Sequence, residues 1–236
     1  MLEDILKSNQ ESKIQKYLEE HPFILKMGIG VPDWAFNYVL PQFMLGSHLR
    51  ADFIVLTGQS YSYEVTIVEL KKPEASLYNK DGSLAKDFNR ACTQIDDYRR
   101  WIKDNADEFK RDLLKEIKKQ DPLFEENFDW TRRFRIFSAV VIGRRAKLSR
   151  EHRDKNFDME DKGVRAISYD RLVDVERRLC EMLDKKIALN YFNRDYLIRE
   201  RYNMELENQK PDMDSIGTDH VLYLGDEEQR DGRYGL

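Results

Sequence analysis

Only two cysteines, six prolines and four histidines occur in the 236 residues, and each scarcity narrows the chemistry. Cys92 and Cys180 both fall in segments that read as helix, so they are expected as buried thiols of a reducing compartment rather than as a disulfide. His21, His48, His152 and His220 are scattered, and no Cys/His spacing suits zinc. His48, just ahead of Arg50-Ala-Asp52, is expected to be a surface histidine. No Gly-rich loop runs into Lys-Ser/Thr, which removes the phosphate-cradling loop of nucleotide-binding proteins. No apolar run approaches the roughly 18–20 residues of a membrane span. Met1-Leu2-Glu3-Asp4 starts no basic-then-apolar leader, so a cytoplasmic, membrane-free protein is expected. There is no internal repeat and no Ser/Gly linker to split the body.

What the chain does hold is charge, 36% of its residues, alongside 12 Phe and 12 Tyr that can fill a core. The net charge of −4 is unevenly placed: from Glu207 onward eight acids face three bases, a net of −5 that leaves the rest of the chain at +1. The bases of that body cluster as Arg99-Arg100, Arg132-Arg133-Arg135 and Arg144-Arg145-Lys147-Arg150-Arg153. Such groups can neutralise phosphates, and Arg99, Arg100, Arg144 and Arg145 are candidate nucleic-acid contacts. Any one cluster taken alone fits a solvated face better, and Arg144 also fits a residue that caps a strand end.

Periodicity predicts an amphipathic helix over Leu2–Glu20, ended by His21-Pro22. A loop marked by Gly28, Gly30 and Pro32 leads to extended segments at Phe36–Leu45, Leu49–Leu56 and Tyr61–Lys71. Pro41 suits an edge strand, and Gly58-Gln59-Ser60 reads as a turn. Ser83 is the expected N-cap of a helix running toward Lys119 with a break near Asp104-Asn105. Arg135–Ile142 reads as a central strand covered on both faces, stopped by Gly143. Val164–Tyr169 is a further strand, followed by a helix capped by Asp170 and reaching Lys186, then a weaker helix over Tyr191–Leu206. Trp34, Trp101 and Trp130 read as packing residues. The order implies an α/β protein with a mixed sheet flanked by helices.

The sharpest feature is Val68-Glu69-Leu70-Lys71 at a strand end. Side chains two apart in a strand share a face, so Glu69 and Lys71 point the same way, and a short hairpin brings Asp52 beside Glu69. Two carboxylates and an ammonium at the mouth of an apolar sheet suit a hard cation such as Mg²⁺ and phosphodiester hydrolysis. A plain Glu69–Lys71 ion pair on a strand edge would use the same residues. Gln94 and Tyr98, four apart, share a helix face. Glu11 lies on the stripe of Ile14, Gln15 and Leu18, at its edge or turned inward.

Taken in order, Glu11, Asp52, Glu69-Leu70-Lys71 and Gln94/Tyr98 resemble the PD-(D/E)XK nuclease superfamily, with its restriction-endonuclease-like αβββαβ core. Several segments resemble, more narrowly, the Shedu anti-phage nuclease family. They are Glu11-Ser-Lys-Ile-Gln15-Lys-Tyr-Leu18 with Pro22, Arg50-Ala-Asp52-Phe53, Glu69-Leu-Lys-Lys-Pro73, Gln94-Ile-Asp-Asp-Tyr98, Ile142-Gly143-Arg144 and Tyr169-Asp170-Arg-Leu172. The resemblance implies that Asp52, Glu69 and the Leu70 carbonyl hold Mg²⁺ or Mn²⁺ and that Lys71 is the catalytic lysine. By the same resemblance Gln94 orients Lys71 or a metal water, Tyr98 approaches the scissile phosphate and Glu11 is a supporting acid. It also implies DNA as substrate, and a homo-oligomer (dimer or tetramer) with paired sites.

The expected layout is a nuclease domain over about 1–206, with its core at about 10–183, and an acidic tail over 207–236. Shedu proteins carry a large domain ahead of the nuclease, whereas here the motif starts near residue 1, so regulation is expected from the tail or the Tyr191–Leu206 helix. Two other functions fit the same residues: a repair or recombination nuclease of the superfamily, and a binding module that kept the fold but lost catalysis. The intact Asp52, Glu69 and Lys71 set argues against the second.

Overall fold

The computed structural model describes residues 1–31, 37–58, 62–121, 133–161 and 163–184. The turn at Gln59-Ser60, Arg132, Trp34, Trp130, the Tyr191–Leu206 segment and the acidic tail lie outside them. The chain divides into two compact units, Met1–Arg177 and Arg178–Leu236; the elements below belong to the first, apart from the end of the last helix.

Three helices open the chain: α1 (Leu2–Leu6), α2 (Glu11–Glu20) and α3 (Pro22–Gly28). The single helix expected over Leu2–Glu20 is interrupted because Asn9 takes a left-handed backbone, φ 52°, a conformation asparagine tolerates better than most residues. Pro22 does stop α2, but it also starts α3, since the first helical position has no use for the missing N–H. The expected loop after His21 is therefore helical as far as Gly28.

Strands β1 (Asn37–Leu45), β2 (Leu49–Gly58) and β3 (Ser62–Leu70) follow, then α4 (Lys86–Asp104), α5 (Ala106–Gln120), β4 (Arg133–Val141), α6 (Arg150–Asp161), β5 (Val164–Ile167) and α7 (Tyr169–Asp184). The strands form one mixed sheet in the order β1-β2-β3-β4-β5. The first three pair antiparallel, and β3-β4 and β4-β5 pair parallel. The protein is thus α/β, with a five-stranded mixed sheet and helices packed on it. Pro41 sits on the outer strand β1, where a missing ladder donor is tolerated.

Alternation along the strands sorts the core into layers. Phe53, Val55, Val68, Leu70, Ala139 and Val141 turn toward Ile14 and Leu18 of α2, Leu25 of α3 and Leu172 of α7. Ile54, Leu56, Val65 and Ile67 turn the other way, against Tyr98 and Ile102 of α4 and Phe109, Leu113 and Ile117 of α5. Trp101 is a packing residue there, as expected. Full burial of each such side chain is worth about 1.5–3 kcal/mol. Only the second half of β4 is covered on both faces; Arg133, Arg135 and Phe137 are exposed.

Ser83 does not cap α4. It bonds within its own turn to Asp81 and Asn79, and the capping position falls to Ala85. Likewise Asp170 lies inside α7, and its carboxylate is taken by Arg144 and the Arg145 amide. Cys92 and Cys180 are half-buried thiols, and burial raises that of Cys92 to about 11. No helix among the described residues is long and apolar enough to cross a membrane.

Candidate functional site

The carboxyl ends of β3 and β4 leave the sheet side by side, and there the polar residues converge. Pairing of β2 with β3 runs as far as Phe53 opposite Val68. One step on, Asp52 and Glu69 take the facing positions, and a side chain replaces the backbone in the ladder. The Leu70 N–H donates to Asp52 Oδ2 at 2.7 Å. Across the other side of β2, Gln42 of β1 also hydrogen-bonds the Asp52 carboxylate. Gln42 does so from a left-handed backbone, φ 49°, unusual for a residue with a side chain.

Glu69 is only 2% exposed. Its Oε1 accepts from the Tyr98 hydroxyl at 3.0 Å and its Oε2 from Lys71 Nζ at 2.9 Å. Lys71 Nζ also donates to Gln94 Oε1 at 3.0 Å. Gln94 and Tyr98, one turn apart on α4, thus meet Lys71, just past the end of β3, and Glu69 within it. Tyr98 reaches the Arg50 carbonyl as well, at 2.8 Å, which ties α4 to the start of β2.

The backbone of Lys71 is equally fixed. Its N–H donates to Val141 O at 2.9 Å and its carbonyl accepts from the Tyr169 hydroxyl at 2.7 Å. The next turn is held by Gly143, whose N–H donates to Lys72 O at 3.3 Å. Gly143 has φ +69°, and a Cβ there would stand 2.7 Å from the Ala75 carbonyl, so only glycine fits.

Burial dominates the electrostatics. It pushes the Asp52 carboxyl above the usual carboxylate range, against the pull of the Leu70 amide and the Lys71 charge. It pushes Glu69 up too, helped by the charge of Asp52 and opposed by Lys71. The Tyr98 hydroxyl is raised by burial and by Glu69. Fully buried Tyr169 is raised well above its ordinary value by burial and then by the charges of Glu11 and Asp52.

Glu11, at the start of α2, is half-buried. One turn later Gln15 donates from Nε2 to the Asp52 carbonyl at 3.2 Å and to Glu19 Oε1 at 2.9 Å. The site is therefore assembled from both helical layers, α2 on one side and α4 on the other.

The candidate phosphate contacts are engaged by other groups of the protein itself. Arg144 donates to Glu3 Oε1 at 3.0 Å and to Asp170 Oδ1 at 3.1 Å. Arg145 reaches Asp174 at 2.8 Å. Arg99 donates to the Gly163 carbonyl, and exposed Arg100 lies 3.4 Å from Asp97. His48 is exposed in the β1–β2 turn.

Gln42 and the Tyr169 hydroxyl had no assigned part in the sequence reading. Tyr169 falls in a quoted family segment, and Gln15 on the same stripe as Glu11, so both carried a signal. Gln42 carried none, because neither its backbone conformation nor its pairing partner is a local property.

Among the described residues, no three His, Cys, Asp or Glu side chains converge as a metal-binding group. Asp52 and Glu69 are two carboxylates, which fits Mg²⁺, a cation that keeps waters and takes one or two protein carboxylates with substrate oxygens. The raised affinity of both carboxyls for a proton marks a place where positive charge is wanted, and one buried oxygen nearby, Gln15 Oε1, has no hydrogen-bond partner among the described residues.

No curated protein matches the chain. The family described as Shedu protein SduA, C-terminal, matches residues 8–173, a span that holds Glu11, Asp52, Glu69, Lys71, Gln94, Tyr98 and Tyr169. With more than half of its length matched, the chain belongs to the Shedu SduA C-terminal family.

Proposed function

We propose that this protein is a divalent-cation-dependent DNA endonuclease that acts in anti-phage defence. Membership of the Shedu family supports the defence role. The nuclease reading rests on one observation: Lys71 Nζ is held between Glu69 Oε2 and Gln94 Oε1, beside a second, half-buried carboxylate, Asp52. The sequence of α2, three strands, α4 and β4 supports a restriction-endonuclease-like core.

In this reading Asp52, Glu69 and the Leu70 carbonyl would hold Mg²⁺ or Mn²⁺. The cation would supply polarisation of a phosphate oxygen and acidification of water. The remaining work falls to the chain. An ammonium has three N–H donors; two of those of Lys71 go to Glu69 and Gln94. The third serves a water or a phosphate oxygen, where it offsets the negative charge that grows in the transition state. Gln94 fixes the direction of that donor, and Tyr169 fixes the backbone that carries it. Tyr98, whose hydroxyl holds its proton more tightly than usual, acts as a donor that steadies Glu69.

DNA is the substrate and a homo-oligomer the working form, so that two sites can address two strands. A plasmid-nicking assay tests the reading. Wild-type protein with Mg²⁺ or Mn²⁺ should nick or linearise DNA, and Glu69→Ala and Lys71→Ala should each lower the rate by about 10²-fold or more. Equal cutting by all three would trace the activity to a contaminant. No cutting of any nucleic acid by the wild type would favour a binding module.

A further inference from the structure

The side chain of Gln15 is oriented by its neighbours rather than by its own preference. Both hydrogens of Nε2 are used, one on Glu19 Oε1 at 2.9 Å and one on the Asp52 carbonyl at 3.2 Å. Both partners are oxygen acceptors, so turning the amide over would set oxygen against oxygen twice. Oε1 is therefore fixed on the far side of the same carbon. It is buried, and among the described residues no donor reaches it.

A buried carbonyl with no partner is costly to keep, and native proteins keep few of them without a water or an ion to meet them. The surroundings of Gln15 are rich in oxygen. Glu11 lies one turn earlier on the same stripe of α2, and the Asp52 main-chain carbonyl accepts from Gln15 Nε2. Gln15, Asp52 and Glu69 offer oxygen alone, which suits a hard cation rather than zinc or copper.

We propose that Gln15 supplies a neutral oxygen to the divalent-cation site of Asp52 and Glu69, a third side-chain donor contributed by the opposite helical layer. This rests on the cation-dependent reading above. It adds to that reading a ligand that carries no charge, so the cation keeps more of its positive charge for the phosphate than a third carboxylate would allow.

The test is calorimetric titration of the full chain with Mn²⁺, with thermal unfolding in EDTA alongside. Wild type should bind Mn²⁺, and Asp52→Asn should abolish binding. Gln15→Met, which keeps the volume but offers no oxygen, should weaken the Kd about tenfold. Gln15→Glu, which keeps an oxygen but loses the Nε2 donor to Glu19 and the Asp52 carbonyl, should bind Mn²⁺ more tightly than Gln15→Met. A purely structural glutamine would behave differently: both substitutions would lower the Tm in EDTA and leave the Kd unchanged, and that result overturns the proposal. So does equal weakening by Gln15→Met and Gln15→Glu. Should Gln15→Met fail to fold, Gln15→Asn, which withdraws the oxygen by one methylene, carries the same expectation. If wild type binds no Mn²⁺, the cation-dependent reading falls and the inference with it. If Asp52→Asn abolishes binding while Gln15→Met leaves it intact, only the inference falls.

Discussion

Glu69 is buried and Asp52, at the facing position, is half-buried, and burial holds both carboxyls above their ordinary range. A carboxyl with a raised folded-state pKa stabilises the fold while it is protonated. That contribution is complete below the unfolded-state pKa and is lost as pH rises through the folded one. Without a divalent cation, stability is therefore expected to decline as pH climbs from about 4 toward 7, which thermal unfolding in EDTA will read. Glu69→Gln removes the buried charge and should raise the Tm in EDTA at neutral pH while abolishing cutting, two effects of opposite sign from one substitution. A Tm that falls with Glu69→Gln would show that the Lys71 and Tyr98 contacts outweigh desolvation. At this scale much of the site was legible: period two in a strand joined Glu69 to Lys71, and period four in a helix joined Gln94 to Tyr98. Gln42 was not legible, since it meets Asp52 only through a hairpin register and a left-handed turn of its own backbone.

Elements were legible where one face is apolar and the other is not. Helices α4 and α5 were anticipated on that ground; strands β2 and β3, buried on both faces for most of their length, were anticipated as extended apolar segments. Helix α6 was missed because Arg150–Asp161 offers only Phe157 and Met159 as apolar residues, and Phe157 is 69% exposed. With no stripe to bury, the helical period leaves no trace in hydropathy. The split between α1 and α2 falls at Ser8-Asn9, where Asn9 takes a left-handed backbone, and the apolar periodicity running across it gave no sign of it. The turn that carries the chain away from Lys71 depends on Gly143. Gly143→Ala would force a Cβ against the Ala75 carbonyl from a positive φ, at a cost of about 1–3 kcal/mol. The loop from Lys72 to Ala75 should then loosen. A lower Tm, together with faster amide exchange in that loop, checks it, and a Tm equal to wild type would show that the loop yields at no cost.

Across the whole molecule, charge is divided between a near-neutral body and the acidic stretch after Leu206. An acidic segment competes with phosphate for basic surface, so deleting residues 207–236 is expected to raise DNA affinity or cutting, most visibly at low salt. Unchanged affinity and rate in the truncated chain would dispose of that role. The outline of the protein, an α/β sheet with helices packed on it, followed from element order alone. The joining of two helical layers around one strand end did not, because sequence spacing carries no record of which helix lands on which face.

The two rims of the sheet bear on how copies of this chain can associate. On one rim Pro41 offers no amide hydrogen and its neighbour Gln42 turns out of the extended conformation; on the other, β5 is four residues long. A foreign strand seeking to zip alongside finds a broken template at the first and a stub at the second. Among the described residues, both rims therefore disfavour lateral growth of the sheet by strand addition.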